Sequence, residues 1–300
     1  MNNASELSDT RVSRQFTIRK LQGLLPNTIS YILLIIYALV CLYPFLWMVS
    51  ASVKSNQEVL GSQALIPKQL RLDVLISVWN QLNFWKYFTN SVFLVLFVIL
   101  GIMVVYSLAG YGFARTTFWG REFFFLLFLG LLLVPGVSVL IPLVQLLVAL
   151  GLIGRGATQL STYVGVAMPI INGSGPLAIF LFRNYFARMP QEIHDAARVD
   201  GCSEFGIYLR IFLPLSFPVI ATVGILNFVA TWNAYIWPSI VINNSDWYTL
   251  PLKLKDLDAQ TVIQWNVRMA GSLITTIPII IVFLLLQRYY VRGITGAVKG

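Results

Sequence analysis

Six long stretches of the chain carry no Lys, Arg, Asp or Glu: 21–53, 87–114, 123–154, 156–182, 211–245 and 269–287. Polar and charged residues gather in the segments between them. Each stretch has at least 19 residues, and a helix needs roughly 20 apolar residues to cross a bilayer. A charge at mid-bilayer costs about 2.5–3.5 kcal/mol on insertion scales, which accounts for the pattern. The chain therefore predicts an all-α membrane protein of six transmembrane helices, with cores at 29–51, 89–114, 123–148, 160–182, 216–240 and 269–288. A tail at 1–28 precedes this transmembrane domain (29–288) and a second tail, 289–300, follows it. Outer loops are expected at 52–88 and 241–268, tight turns at 115–122 and 149–159, and a charged inner loop at 184–215.

The segments differ in texture. "LISVWNQLNFWKYF" sets Leu75, Val78, Trp79, Leu82 and Trp85 at helical spacing. It predicts an amphipathic helix that either lies flat on the bilayer or packs on neighbouring spans. Spans one and six are almost uniformly apolar and read as lipid-facing. Span two carries "YSLAGYGFA", small residues that let another helix approach closely. Span four holds Pro169, Asn172, Gly173, Ser174, Gly175 and Pro176, which are expected to break its middle. Irregular backbone at membrane depth survives only beside protein or a wet cavity. The run is thus either part of a transport route, with Asn172 and Ser174 on it, or a packing kink. In span five Asn227, Thr231 and Tyr235 are four apart, which puts them on one helical face. A polar stripe without charge suits the hydroxyls of a neutral solute, and equally suits bonds between helices.

Composition and charge narrow the function. Only 11% of residues are charged and 57% are hydrophobic, against about 25% charged in soluble domains. The net charge of +9 reads as topology rather than nucleic-acid binding. With the N-terminus inside, 13 Lys and Arg fall on the inner side and 8 on the outer, the sense of the positive-inside rule. Cys41 lies in a span and Cys202 in an inner loop, which gives no disulfide framework. With His194 as the single histidine, a zinc site of the usual kind is not expected; His194 itself reads as solvated. No P-loop, H-E-x-x-H or G-x-S-x-G motif occurs, and no span holds a carboxylate for a proton relay. The chain reads as a transport subunit and not an enzyme. No cofactor is expected on it, and energy for uphill transport must come from another chain.

The charged loop contains "NYFARMPQEIHDAARVDGCSEFGIYLRIFLPLSFP" at 184–218. Pro190 suits the first turn of a helix, and Glu192 and Asp195 place acid near its positive end. Gly201 is a good left-handed stop. Ser203 is placed to cap a second short helix from Glu204 to about Arg210, and Pro214 and Pro218 punctuate the way into span five. The result is a helix–turn–helix on the inner face. Ala196 and Ala197 are expected to leave one side of its first helix smooth, between charges such as Arg188, Glu192, Asp195 and Asp200. That shape fits a groove on a partner.

This segment resembles the cytoplasmic loop of binding-protein-dependent ABC importer permeases. The family's pattern is Glu-Ala-Ala, three residues, Gly, nine residues, Ile, one residue, Leu-Pro. Asp195-Ala196-Ala197, Gly201, Ile211 and Leu213-Pro214 keep every spacing, with Asp for Glu as the one departure. "AGYGFAR", "WNAYIWP" and the closing "GAVKG" look like the smaller, maltose-importer-type permease of the carbohydrate-uptake branch. The resemblance implies a second homologous permease, two cytosolic ABC ATPases that hold ATP and Mg, and an extracytoplasmic solute-binding protein. It implies a bacterial inner-membrane location with both termini cytoplasmic, and alternating access for a small neutral solute. It further implies that the loop is gripped by the ATPase and that 241–268 meets the binding protein. A permease of the same fold for glycerol phosphate or a polyamine is the main rival. A phosphate ester would want Arg or Lys facing the route, and an independent secondary transporter would want intramembrane charge.

Overall fold

The computed structural model describes residues 30–256 and 264–298, with side chains over 30–255 and 264–287. The expected tail at 1–28 lies outside the described residues. Helices follow one another along the chain, and no strand occurs among the described residues. They are α1 (Ser30–Ser52), α2 (Asn56–Gly61), α3 (Leu72–Gln81), α4 (Phe84–Arg115), α5 (Arg121–Gly130), α6 (Leu140–Ala149) and α7 (Gln159–Ala187). Then come α8 (Gln191–Val199), α9 (Glu204–Ile207), α10 (Leu213–Leu215), α11 (Phe217–Trp232), α12 (Ile236–Val241), α13 (Leu250–Asp256) and α14 (Trp265–Val298). The last helix runs on through most of the segment expected as a tail.

Four helices, α1, α4, α7 and α14, are each long and apolar enough to cross a membrane. Two further pairs, Arg121–Leu133 with Gly136–Ala149 and Glu204–Leu215 with Phe217–Trp232, are bent by 92° and 75°. The count is six when each bent pair is one span. The third span was expected as one helix with its core at 123–148. It breaks because Pro135 excludes helical backbone on the residue before it, and Val134 is extended (φ −79°, ψ 117°). The fifth span bends at Ser216, between Pro214 and Pro218, after a π-helical turn at Tyr208–Phe212. The second hairpin helix therefore ends earlier than expected, at Ile207 rather than near Arg210. Pro214 has no N–H and its ring crowds the carbonyl one turn back; a wider π turn relieves that crowding.

α4 and α7 form the centre of the bundle. They pair in step, Asn90 with Gln159, Phe93 with Tyr163, and Gly110 with Phe182, so they run parallel. Small residues set their spacing, as "YSLAGYGFA" suggested. A Cβ on Gly110 would lie 2.5 Å from Phe182 Cβ and 3.1 Å from the backbone N of Arg183. Gly175 likewise leaves the room that the Tyr106 ring fills. The expected break in span four does not occur: α7 is one helix of 29 residues through Pro169 and Pro176. Its Gly175 serves close packing, and neighbouring helices stabilise a proline-bearing helix at membrane depth.

The apolar window of α1 is wholly exposed in this chain, as lipid contact would require. Span six departs from that expectation, because α14 buries Ala270 and Ile274 with Val78 and Trp232 in a second core. α3 packs on this core through Val74, Val78 and Leu82. The packed alternative therefore holds: of the expected stripe, Val78 and Leu82 are buried, Leu75 and Trp79 sit at its edge and Trp85 is exposed.

Gly110→Ala should cost about 1–3 kcal/mol, the usual range for overpacking. Gly112→Ala, where no atom lies within 4 Å of the added Cβ, should be neutral or slightly stabilising. Thermal unfolding of the two purified variants measures the difference; equal melting temperatures would show that α4 and α7 do not depend on this contact.

Candidate functional site

The hairpin α8–α9 is built from local signals. Pro190 sits just before α8, one position earlier than expected. α8 ends at Val199 and is followed by Gly201, whose φ is +77°. There Cys202 N–H donates to Ala197 O and Gly201 N–H to Arg198 O, both at 3.0 Å, which satisfies the last carbonyls of the helix. Ser203 Oγ then accepts from Gly206 N at 3.2 Å and caps α9. Any side chain at 201 would be strained by its left-handed backbone, although its surroundings are open.

The base of the hairpin is fixed to the ends of α4 and α7. Tyr111 and Arg115, one turn apart on α4, share a face. The Tyr111 hydroxyl donates to Glu204 Oε2 at 3.2 Å. His194 Nε2 meets the same oxygen at 3.1 Å, and Arg198 Nε lies 3.6 Å from Glu204 Oε1. Glu204 thus joins α4, α8 and α9. His194 is buried, at 2% exposure, contrary to the solvated residue expected; its ring packs edge-on against Phe212, 6.2 Å between centroids. Arg115 donates to the carbonyls of Phe186 (3.0 and 2.6 Å) and Met189, and to Gln191 Oε1 at 2.6 Å. Its guanidinium lies 5.0 Å from the centre of the Phe212 ring. A cation at the carbonyl end of α7 is also favoured by the helix dipole.

The far side of the hairpin is open. Arg188, Glu192, Asp195, Ala196, Asp200 and Gly201 are exposed, and so is Pro214. Ala197 is buried in the chain's own core, so the two alanines do not form one smooth side as expected: neighbouring positions on a helix point about 100° apart. The apolar surface is supplied instead by Val199, 88% exposed, and Phe205, 60% exposed. Ile211 and Leu213 are half-buried and pack on the main core.

The expected pathway residues sit in different surroundings. Asn172 is exposed and Ser174 half-buried on α7. Asn227 and Thr231 share a face of α11 but are buried; Asn227 Nδ2 donates to Val223 O at 2.8 Å and Thr231 Oγ1 has no partner among the described residues. Tyr235 leaves that face, because α11 ends at Trp232 and the chain restarts as α12 with Pro238 in its first turn. At the end of the bundle opposite the hairpin, polar residues on α4 and α7 hold the loop after α12. Lys86 Nζ pairs with Asp246 Oδ1 at 2.5 Å, Ser91 Oγ accepts from Leu250 N at 2.7 Å, and the Tyr163 hydroxyl donates to Trp247 O at 2.8 Å. None of Tyr111, Arg115, Glu204, Ser91 or Tyr163 stands out in the sequence, since each is a lone polar residue whose partner lies far along the chain.

A bundle of apolar spans carrying a charged hairpin at one end is the architecture of a membrane permease. The family described as binding-protein-dependent transport system inner membrane component matches residues 107–296, and the chain belongs to it. It is similar to an arabinooligosaccharides transport system permease protein of Halalkalibacterium halodurans, 36% identical over 268 residues that make up 88% of this chain and 93% of that protein. A lactose transport system permease protein of Rhizobium radiobacter is 31% identical over 92% of this chain and 97% of its own. A trehalose/maltose transport system permease protein of Thermococcus litoralis is 31% identical over 89% and 94%. Among solved structures, the fold matches a chain of a bacterial ABC transporter involved in the import of the acidic polysaccharide alginate, with a TM-score of 0.74 at 23% identity, over 93% of this chain and 98% of that one.

Arg115→Lys keeps the charge but loses the fork that reaches two carbonyls and an amide at once. Buried carbonyls left unpaired cost about 1–3 kcal/mol each. Amide hydrogen exchange over 187–196 should therefore quicken in the variant, while α14 stays protected. Unchanged exchange at the hairpin would show that Arg115 does not hold it.

Proposed function

We propose that this permease passes a neutral oligosaccharide across the inner membrane, working with a homologous permease, two ATPases and a solute-binding protein. The observation that carries the reading is the two-sided hairpin. Its base is clamped to α4 and α7 by Arg115 and Glu204, while Val199 and Phe205, with Glu192, Asp195 and Asp200, are exposed on it. A partner that grips these exposed side chains moves the two central helices with it. The three sequence relatives above are named for arabinooligosaccharides, lactose and trehalose/maltose, whereas the alginate importer shares the fold at only 23% identity; the charge-free interior of the spans suits a neutral solute. ATP and Mg belong to the partner ATPases, and this chain needs no cofactor of its own. The solute passes the outward polar positions Asn172 and Ser174. Asn227 and Thr231 reach it only when α11 moves off its neighbours. Alternating access then follows from the hairpin biasing a bundle with two packings.

Gly201→Asp should uncouple the importer. The left-handed backbone costs a non-glycine residue about 1–2 kcal/mol, and the turn between α8 and α9 is distorted. In proteoliposomes containing the assembled importer and its binding protein, ATP hydrolysis should persist while uptake of labelled oligosaccharide falls about tenfold or more. Wild-type uptake would refute the role of the hairpin. Orientation is tested separately: in Cys41→Ser, Cys202 is the remaining cysteine, and membrane-impermeant maleimide should reach it only in inside-out vesicles. Labelling from the outside of intact cells would reverse the topology.

A further inference from the structure

At the end of the bundle away from the hairpin, α4 and α7 border a cavity of about 400 Å³. That falls within the roughly 300–1,000 Å³ of small-molecule sites. Thr89, Asn90, Phe93, Gln159, Leu160 and Tyr163 line it, and none of them is charged.

Every side-chain donor of this lining is already committed. Asn90 Nδ2 spends its two hydrogens on the carbonyls of Asp246 and Tyr248, each at 3.0 Å. Gln159 Nε2 spends its two on Asn90 Oδ1 and the Tyr163 hydroxyl, each at 3.2 Å. Tyr163 gives its hydrogen to Trp247 O at 2.8 Å. The Thr89 hydroxyl donates to the carbonyl of Lys86 or Trp85, at 2.8 or 2.9 Å. The polar capacity left to a ligand by these side chains is accepting: Oε1 of Gln159, the second lone pair of Asn90 Oδ1 and the lone pairs of the exposed Thr89 hydroxyl. Groups held this firmly lose little freedom on binding. Phe93 and Leu160, both well exposed, supply an apolar wall beside them.

The complementary ligand donates several hydrogen bonds, carries no charge and has an apolar face. An anion would meet no free side-chain donor. A cation would meet no carboxylate in the lining, and Lys86 stands one turn from Asn90, paired with Asp246. We propose that this cavity is a subsite for one ring of a neutral, hydroxylated saccharide, where the solute first meets this chain. The proposal rests on the transport function inferred above and adds a discrimination to it: neutral sugars are accepted and uronic acids are refused.

The test uses the whole importer in nanodiscs without its binding protein, and saturation-transfer NMR with maltotriose, arabinotriose and trigalacturonate. One of the neutral trisaccharides should bind saturably and trigalacturonate about tenfold or more weakly. Gln159→Leu and Gln159→Met should each weaken the neutral ligand by a similar factor, and Phe93→Ala should do so through the apolar wall. Co-purification of the ATPases with each variant checks that the chain has folded. If the importer takes up a neutral trisaccharide with its binding protein, yet shows no direct binding or binds it unchanged in the Gln159 variants, the subsite is overturned and the transport function stands. Equal binding of trigalacturonate would overturn the proposed discrimination. If no neutral sugar is taken up at all, the transport function falls, and the subsite with it.

Discussion

The close approach of α4 to α7 is the constraint on which the rest of the molecule depends. Gly110 against Phe182, and Tyr106 against Gly175, bring two parallel helices together along much of their length. A packed pair of this kind resists bending, because interiors have little free volume to take up a local shift. Each end of the pair also carries something. At one end Tyr111 and Arg115 seat the hairpin. At the other Asn90, Ser91 and Tyr163 hold the loop at 246–250. A displacement of the hairpin is therefore passed along a stiff pair to a loop at the far end of the same two helices.

The Arg115 clamp differs from the surface ion pairs in what accepts its bonds. Arg71 and Asp73 form an ion pair with both partners about half exposed, and such pairs contribute about 0–1 kcal/mol. Arg115 instead donates to backbone carbonyls at the end of α7, two of them from one nitrogen. Charge-assisted bonds of this kind are roughly twice as strong as neutral ones. The hairpin is thus tied down by charge-assisted bonds as well as by its buried Ala197 and Ile207. That suits the force-carrying role proposed for it.

The spans were legible because a charge inside a bilayer is expensive, so its absence marks the membrane. The hairpin was legible because Pro190, Gly201 and Ser203 act through local backbone geometry. Features set by contacts between distant parts of the chain were not. Pro169 and Pro176 signal a break, and packing across Gly175 overrides it. His194 reads as solvated until Glu204 and Phe212 are seen to enclose it. The break at Pro135 could have been found, since a residue preceding proline avoids helical backbone, but an unbroken apolar run concealed it. Tyr235 keeps the spacing of a stripe whose helix has already ended.

The aspartate at 195 bears on how a partner holds the hairpin. Gln191 Nε2 donates to Asp195 Oδ1 at 3.0 Å, an i,i+4 contact that draws the short carboxylate along the surface of α8. Glutamate would carry its charge further from the helix. If one salt bridge secured the partner, this shortening would matter greatly. Yet an exposed salt bridge is worth about 0.2–1 kcal/mol, whereas fully burying a side chain such as Val199 or Phe205 is worth about 1.5–3 kcal/mol. If a partner grips the hairpin as proposed, the larger share of the grip would come from the apolar side chains. Glu192, Asp195 and Asp200 would then select the partner's charge and fix its register. On that division of labour, a carboxylate one methylene shorter at position 195 would leave the hold on the hairpin largely intact.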